Sequence, residues 1–151
     1  MSSHATGTRV QRMPRAQRRA QLLGAALTVF VSKGYHAAAM EDIADEAGVS
    51  KPVLYQHFPG KLDLYLALLD NQCDHLETLV LEALNSSEDH EERVYATVRA
   101  FFTFVADEGG AFRLIYESDL TNEPQVRHRI DALEAQLGEA MAQRIIQDTP
   151  L

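Results

Sequence analysis

From Leu22 to Ile145 the apolar residues recur three and four positions apart, and no stretch sustains the alternation of a half-buried strand. That periodicity predicts an all-α chain, which its breakers divide into segments. Pro14 suits a first helical turn, the face Leu22, Leu23, Ala26, Leu27 and Phe30 follows, and Gly34 can close the helix. Short helices are predicted from Met40 to Ala47 and from Lys51 to His57, joined by Gly48-Val49-Ser50. Pro59-Gly60 precedes a long helix from Lys61 to about Leu84, with Leu62, Tyr65, Leu66, Leu69, Leu76, Leu79 and Val80 as its apolar stripe. Asn85-Ser86-Ser87 leads into a helix with Val94, Val98, Phe101, Phe102 and Val105 on one face, stopped by Gly109-Gly110. A short helix from Ala111 to about Asp119 follows. Thr121-Asn122-Glu123-Pro124 then opens a last long one bearing Val126, Ile130, Leu133, Leu137, Met141 and Ile145.

At 151 residues and 46% hydrophobic, the chain can bury a core without disulfides or metals. It contains no run of about 18 apolar residues, so no transmembrane helix or membrane partner is expected. Arg9 and Arg12 are not followed by an apolar stretch, so Met1 to Met13 reads as a flexible basic tail and not a secretory signal. Cys73 is the only cysteine; no internal disulfide is possible, and a reducing cytoplasm fits best. The net charge of −8 argues at first sight against nucleic acid, but its distribution does not. Residues 1–61 carry eight Lys and Arg against four Asp and Glu, a balance of +4, whereas residues 62–151 carry −12. Attraction to phosphate is local, being screened beyond about 8 Å at physiological salt, so a basic head on an acidic body can still meet DNA.

The segment from Met40 to Phe58 meets the requirements of a helix-turn-helix. Ile43, Ala44 and Ala47 make a narrow apolar face that lets a partner helix approach closely. Gly48 can take the positive φ of a sharp turn, and Val49 plugs the angle. Ser50 can cap the second helix, and Pro52 sits in its first turn, where a missing N–H costs nothing. Leu54 and Phe58 face inward, leaving Lys51, Val53, Tyr55, Gln56 and His57 outside. Such a face suits a major groove. Gln56 can read adenine, Val53 can meet a thymine methyl, Lys51 can reach guanine or phosphate, and Tyr55 and His57 can donate to phosphate. Arg15, Arg18 and Arg19, placed against the positive end of the first helix, are mildly unfavourable there unless a polyanion lies nearby.

Gly34-Tyr35, then Met40-Glu41-Asp42-Ile43-Ala44, Ala47-Gly48-Val49-Ser50-Lys51, Leu54-Tyr55-Gln56-His57-Phe58 and Lys61 closely resemble the TetR family of bacterial regulators over about residues 15–69. The resemblance implies a three-helix DNA-binding head (14–60) and a helical effector-binding and dimerisation body (61–151), working as a homodimer on a palindromic operator. It also places Lys51, Pro52, Val53, Tyr55, Gln56, His57 and Lys61 at positions the family uses against DNA; Ser50 and the three arginines join them as candidates. Ala38 and Ala39 stand where many family members carry a threonine, and the loss of that cap at Ala39 is expected to cost about 1 kcal/mol, partly offset by Glu41 and Asp42. Gly60 likewise stands where a capping side chain is common. The family usually pairs through two further C-terminal helices, so the body reads as C-terminally truncated after its seventh helix.

In the body, Phe101, Phe102 and Phe104 cannot share one face, because successive residues are rotated by about 100°. By resemblance, Leu76, Phe101, Phe104 and Tyr116 are candidates to line a pocket for a small-molecule effector whose identity is not written in the residues. Cys73 and His75, with His90 or His128, match no zinc spacing, and a surface thiol is expected instead. Tyr116, Glu117, Asp119 and His128 offer an acid/base set without nucleophile spacing or a phosphate loop, so no enzyme and no cofactor are expected. A helical interaction protein whose head no longer reads DNA is the alternative. The favoured expectation is a ligand-responsive repressor that binds a double-stranded DNA operator.

Overall fold

The computed structural model describes residues 13–107, 110–116, 119–120 and 122–148; for 107, 111, 112, 116 and 145–148 only the backbone is described. The expected tail thus lies outside the described residues, except for Met13. Seven helices follow one another: α1 (Arg15–Lys33), α2 (Met40–Ala47), α3 (Lys51–His57), α4 (Lys61–Leu84), α5 (His90–Asp107), α6 (Ala111–Tyr116) and α7 (Pro124–Asp148). No strand occurs among the described residues. Gly34 (φ 82°) and Gly48 (φ 70°) take positive φ at the ends of α1 and α2, where a side chain would be strained. The first two interhelical turns therefore fall where the glycines predicted them.

The head is α1–α3, wrapped around Leu22, Ala26, Ile43, Leu54 and Phe58, all essentially buried. Burying each of the leucine, isoleucine and phenylalanine side chains stabilises by about 1.5–3 kcal/mol. The long helix α4 belongs to both halves. Its first turns bring Leu64 and Tyr65 against the head, and Leu68, Leu69, Leu76 and Val80 continue into a bundle with α5 and α7. Serving several neighbours, α4 also buries Leu68, Gln72 and Cys73, which lie off the predicted stripe. Cys73 is therefore a core thiol and not the surface group expected, and burial pushes its pKa up to about 11.

One further sequence expectation fails in the body. The apolar stripe of α5 does not face the core: Val94, Val98 and Val105 are exposed and Phe102 is 68% exposed, while Arg93, Thr97 and Phe104 turn inward. Thr97 can be buried because its hydroxyl donates to the Arg93 carbonyl (2.8 Å), and Arg93 donates to the Ser87 carbonyl (2.8 Å). The three phenylalanines do separate as their spacing requires, with Phe104 buried, Phe101 half-buried and Phe102 outside. Helix α6 is described over Ala111–Tyr116; Asp119 lies in a turn beyond it, its carboxylate engaged by backbone N–H groups of Tyr35 and His36 in the head.

Candidate nucleic-acid interface

The turn between α2 and α3 is built from backbone bonds that its sequence permits. Gly48 caps α2 in the left-handed region, and the Val49 N–H returns to the Ala44 carbonyl (3.0 Å). Ser50 then caps α3, its Oγ accepting the Val53 N–H at 3.4 Å, and Pro52 occupies the first turn. Leu54 is completely buried, which fixes the rotation of α3 and presents Lys51, Pro52, Tyr55 and Gln56 to solvent. Val53 and His57 are half-buried on the flanks. Lys51 lies 3.7 Å from Glu41 in an exposed pair, too weak to hold it away from a phosphate.

The N-terminal arginines of α1 gather beside this surface. The Arg19 guanidinium stacks over the Phe58 ring (4.9 Å), and Arg18 donates to Gln21 (2.8 Å), which donates in turn to the Ala47 carbonyl (2.9 Å). Gln21 was not a sequence candidate, since its partner lies 26 residues away. Partial burial first, and then the charges of Arg15, Arg18 and Arg19, hold the His57 pKa below its ordinary 6.5. His57 is therefore neutral in the free protein at pH 7 and offers only an imidazole N–H. A phosphate beside it would raise that pKa, so a contact between His57 and DNA would take up a proton and make affinity rise as pH falls through the neutral range. Binding titrations across that range should show the slope, and His57→Gln should flatten it. For folding the same depression acts oppositely: the unfolded chain protonates more readily, so this group's contribution is present above about pH 6.5 and lost on acidification.

Lys61 is engaged within the head. Its ammonium donates to the carbonyls of Tyr35 (2.8 Å) and Ala38 (2.9 Å), lies 3.5 Å from that of His36, and sits 4.3 Å from the Tyr35 ring centroid. Its three donors are thereby occupied inside the head, where they hold the turn before α2. No local signal reveals this, because the carbonyls lie 23–26 residues upstream.

At Ala39 the reciprocal half of a cap forms: Asp42 accepts the Ala39 N–H (3.0 Å) and pairs with Lys33 (3.2 Å). That hydrogen bond, and then Lys33, lowers the Asp42 pKa. Alanine has no oxygen to offer in return. Ala39 already has the extended backbone of an N-cap (φ −115°, ψ 153°). Ala39→Thr is accordingly expected to stabilise the fold by about 1 kcal/mol, read from urea unfolding.

Among the described residues, the expected effector residues Leu76, Phe101 and Phe104 line none of the main cavities. Leu76 and Phe104 are fully buried in the packed core, Phe101 is half-buried, and the Tyr116 side chain lies outside the described residues. A body cavity of about 130 Å³ instead lies among Leu84, Thr97, Val98 and Met141. A larger one, about 320 Å³, sits where head meets body. Among the described residues no three His, Cys, Asp or Glu could hold a metal ion, and no helix is long and apolar enough to cross a membrane.

The described residues form a helix-turn-helix head on an all-α body, the architecture of the proteins this chain is similar to. The model of the bacterial regulatory proteins, tetR family, matches residues 22–68. The activator FasR of Mycolicibacterium smegmatis is 48% identical over 143 residues, covering 95% of this chain and 65% of that protein. The nucleoid occlusion factor SlmA of Pasteurella multocida is 29% identical, covering 70% of this chain and 56% of its own length. The chain thus spans less than two thirds of either relative. Among solved structures, a tetR-family transcriptional regulator from Streptomyces coelicolor superposes with a TM-score of 0.73 at 26% identity, over 92% of this chain and 62% of that one. FadR from Bacillus subtilis, solved in complex with stearoyl-CoA, superposes at 0.71 with 21% identity, over 84% and 68%. The chain belongs to the TetR family of bacterial transcriptional regulators.

Proposed function

We propose that this chain is a DNA-binding transcriptional regulator that reads a palindromic operator as a homodimer and responds to a small effector. The observation that carries the reading is α3, held by the Ser50 cap and buried Leu54 so that Lys51, Tyr55 and Gln56 project together beside Arg15, Arg18 and Arg19. Two such helices must meet grooves about 34–36 Å apart, which a two-fold dimer supplies on a palindrome. The sign of regulation follows the mycobacterial relative, an activator, in place of the repression the sequence suggested. A fold neighbour holding stearoyl-CoA makes long-chain acyl-CoA thioesters the first effectors to screen. Operator selection from random DNA, followed by titration at several salt concentrations, tests the reading. A selected palindrome bound with a steep salt dependence supports it; binding that is indifferent to sequence overturns it.

A further inference from the structure

We propose that Asp119 is the positioning residue through which the body governs the reading head, acting as a latch on the turn between α1 and α2; the idea rests on the regulator reading above. The Tyr35 N–H donates to Asp119 Oδ1 (3.2 Å), the His36 N–H donates to Oδ2 (3.3 Å), and His36 Nε2 lies 3.8 Å from Oδ2. The carbonyls of the same turn point the other way, to the Lys61 ammonium at the start of α4. The turn is therefore held by its donors from the body and by its acceptors from α4, and two residues beyond Ala38 it becomes α2 of the helix-turn-helix.

The packing around the latch permits it to move. The segment around α6 meets the head at two ends. Before α6, Gly110 lies so close to Val31 that an added Cβ would fall 2.4 Å from Cγ1, and after it Asp119 grips the turn. Between them lies the 320 Å³ junction cavity, bordered by Phe30, Gly34, Tyr65 and Leu114. The two latch hydrogen bonds are exposed and border a void, so water can replace them. A shift of α6 about its Gly110 end would withdraw the carboxylate, leave the Tyr35 and His36 N–H groups to solvent, and free the turn to tilt α2 and α3. By reciprocity, DNA held by α3 must be felt at α6.

The test uses the full chain and Asp119→Ala, with Asp119→Asn as a milder variant that keeps one acceptor oxygen should the alanine form fail to fold. Amide hydrogen exchange is followed with and without the selected operator, and operator affinity with and without stearoyl-CoA. Without DNA, Asp119→Ala should speed exchange across Met40–Ala47 by at least about fivefold while the melting temperature stays near that of the parent. On adding operator, the parent should show slowed exchange across Ala111–Tyr116 and the variant should not; any stearoyl-CoA effect on operator affinity should shrink by about fivefold in the variant. The latch is overturned if α2 exchange is unchanged, or if the variant keeps the operator-induced protection of α6. A parent that binds no operator defeats the regulator reading, and the DNA-free arm then decides the latch separately.

Discussion

Phe30→Ala is expected to lower stability by about 3–5 kcal/mol, a large share of what a domain of this size possesses. Phe30 is 4% exposed, stacks on Tyr35 (5.7 Å between centroids) and meets the edge of Tyr65 (5.3 Å), with Tyr35 and Tyr65 themselves 5.4 Å apart. This triad joins the end of α1, the turn after it and the first turns of α4, and the Tyr65 hydroxyl donates onward to the Leu114 carbonyl of α6 (3.0 Å). Removing the ring therefore opens a void where head and body meet and deprives two other rings of their packing. Thermal or urea unfolding checks the magnitude. A loss below about 1 kcal/mol would mean that the junction collapses around the void and that its packing matters less than the geometry indicates.

Two variants, one on α3 and one at the start of α4, should separate recognition from support. Tyr55→Ala with Gln56→Ala removes two exposed side chains of α3, and operator affinity is expected to fall by about 10–100-fold or more with unfolding unchanged. Lys61→Met should do the reverse. It leaves the carbonyls of Tyr35 and Ala38 without their ammonium donor, so stability falls by about 1–3 kcal/mol, and affinity suffers only as far as the turn distorts. Salt titration adds a second readout: loss of a phosphate contact lowers the slope of log affinity against log salt by about one, and Lys61→Met should leave that slope intact. A lowered slope in Lys61→Met would show that this lysine reaches DNA after all.

Much of the head was legible because its determinants are local. Gly34, Gly48, Ser50 and Pro52 each dictate a backbone conformation to their immediate neighbours, and the apolar spacing from Ile43 to Phe58 fixes which side of each short helix turns inward. The body was legible as helices and much less so in orientation. On α5 the apolar stripe at 94, 98, 102 and 105 lies about 100° from the buried line at 93, 97 and 104, and in isolation it had the better claim to the core. Its periodicity marks a surface that disfavours water, without saying which neighbour meets it. The pocket candidates were hard to place for a related reason: an aromatic at helical spacing fills a core as readily as it borders a cavity.

The sequence by itself determined the helices, their order, the turn geometry of the helix-turn-helix and the face that α3 presents, because these follow from contacts within four residues along the chain. Only the tertiary structure decided that Lys61 turns inward, that Cys73 is buried, that Phe102 faces outward, and that Asp119 holds a turn 83–84 residues before it. A charged side chain has several acceptable partners, and which one it finds depends on where distant parts of the backbone return.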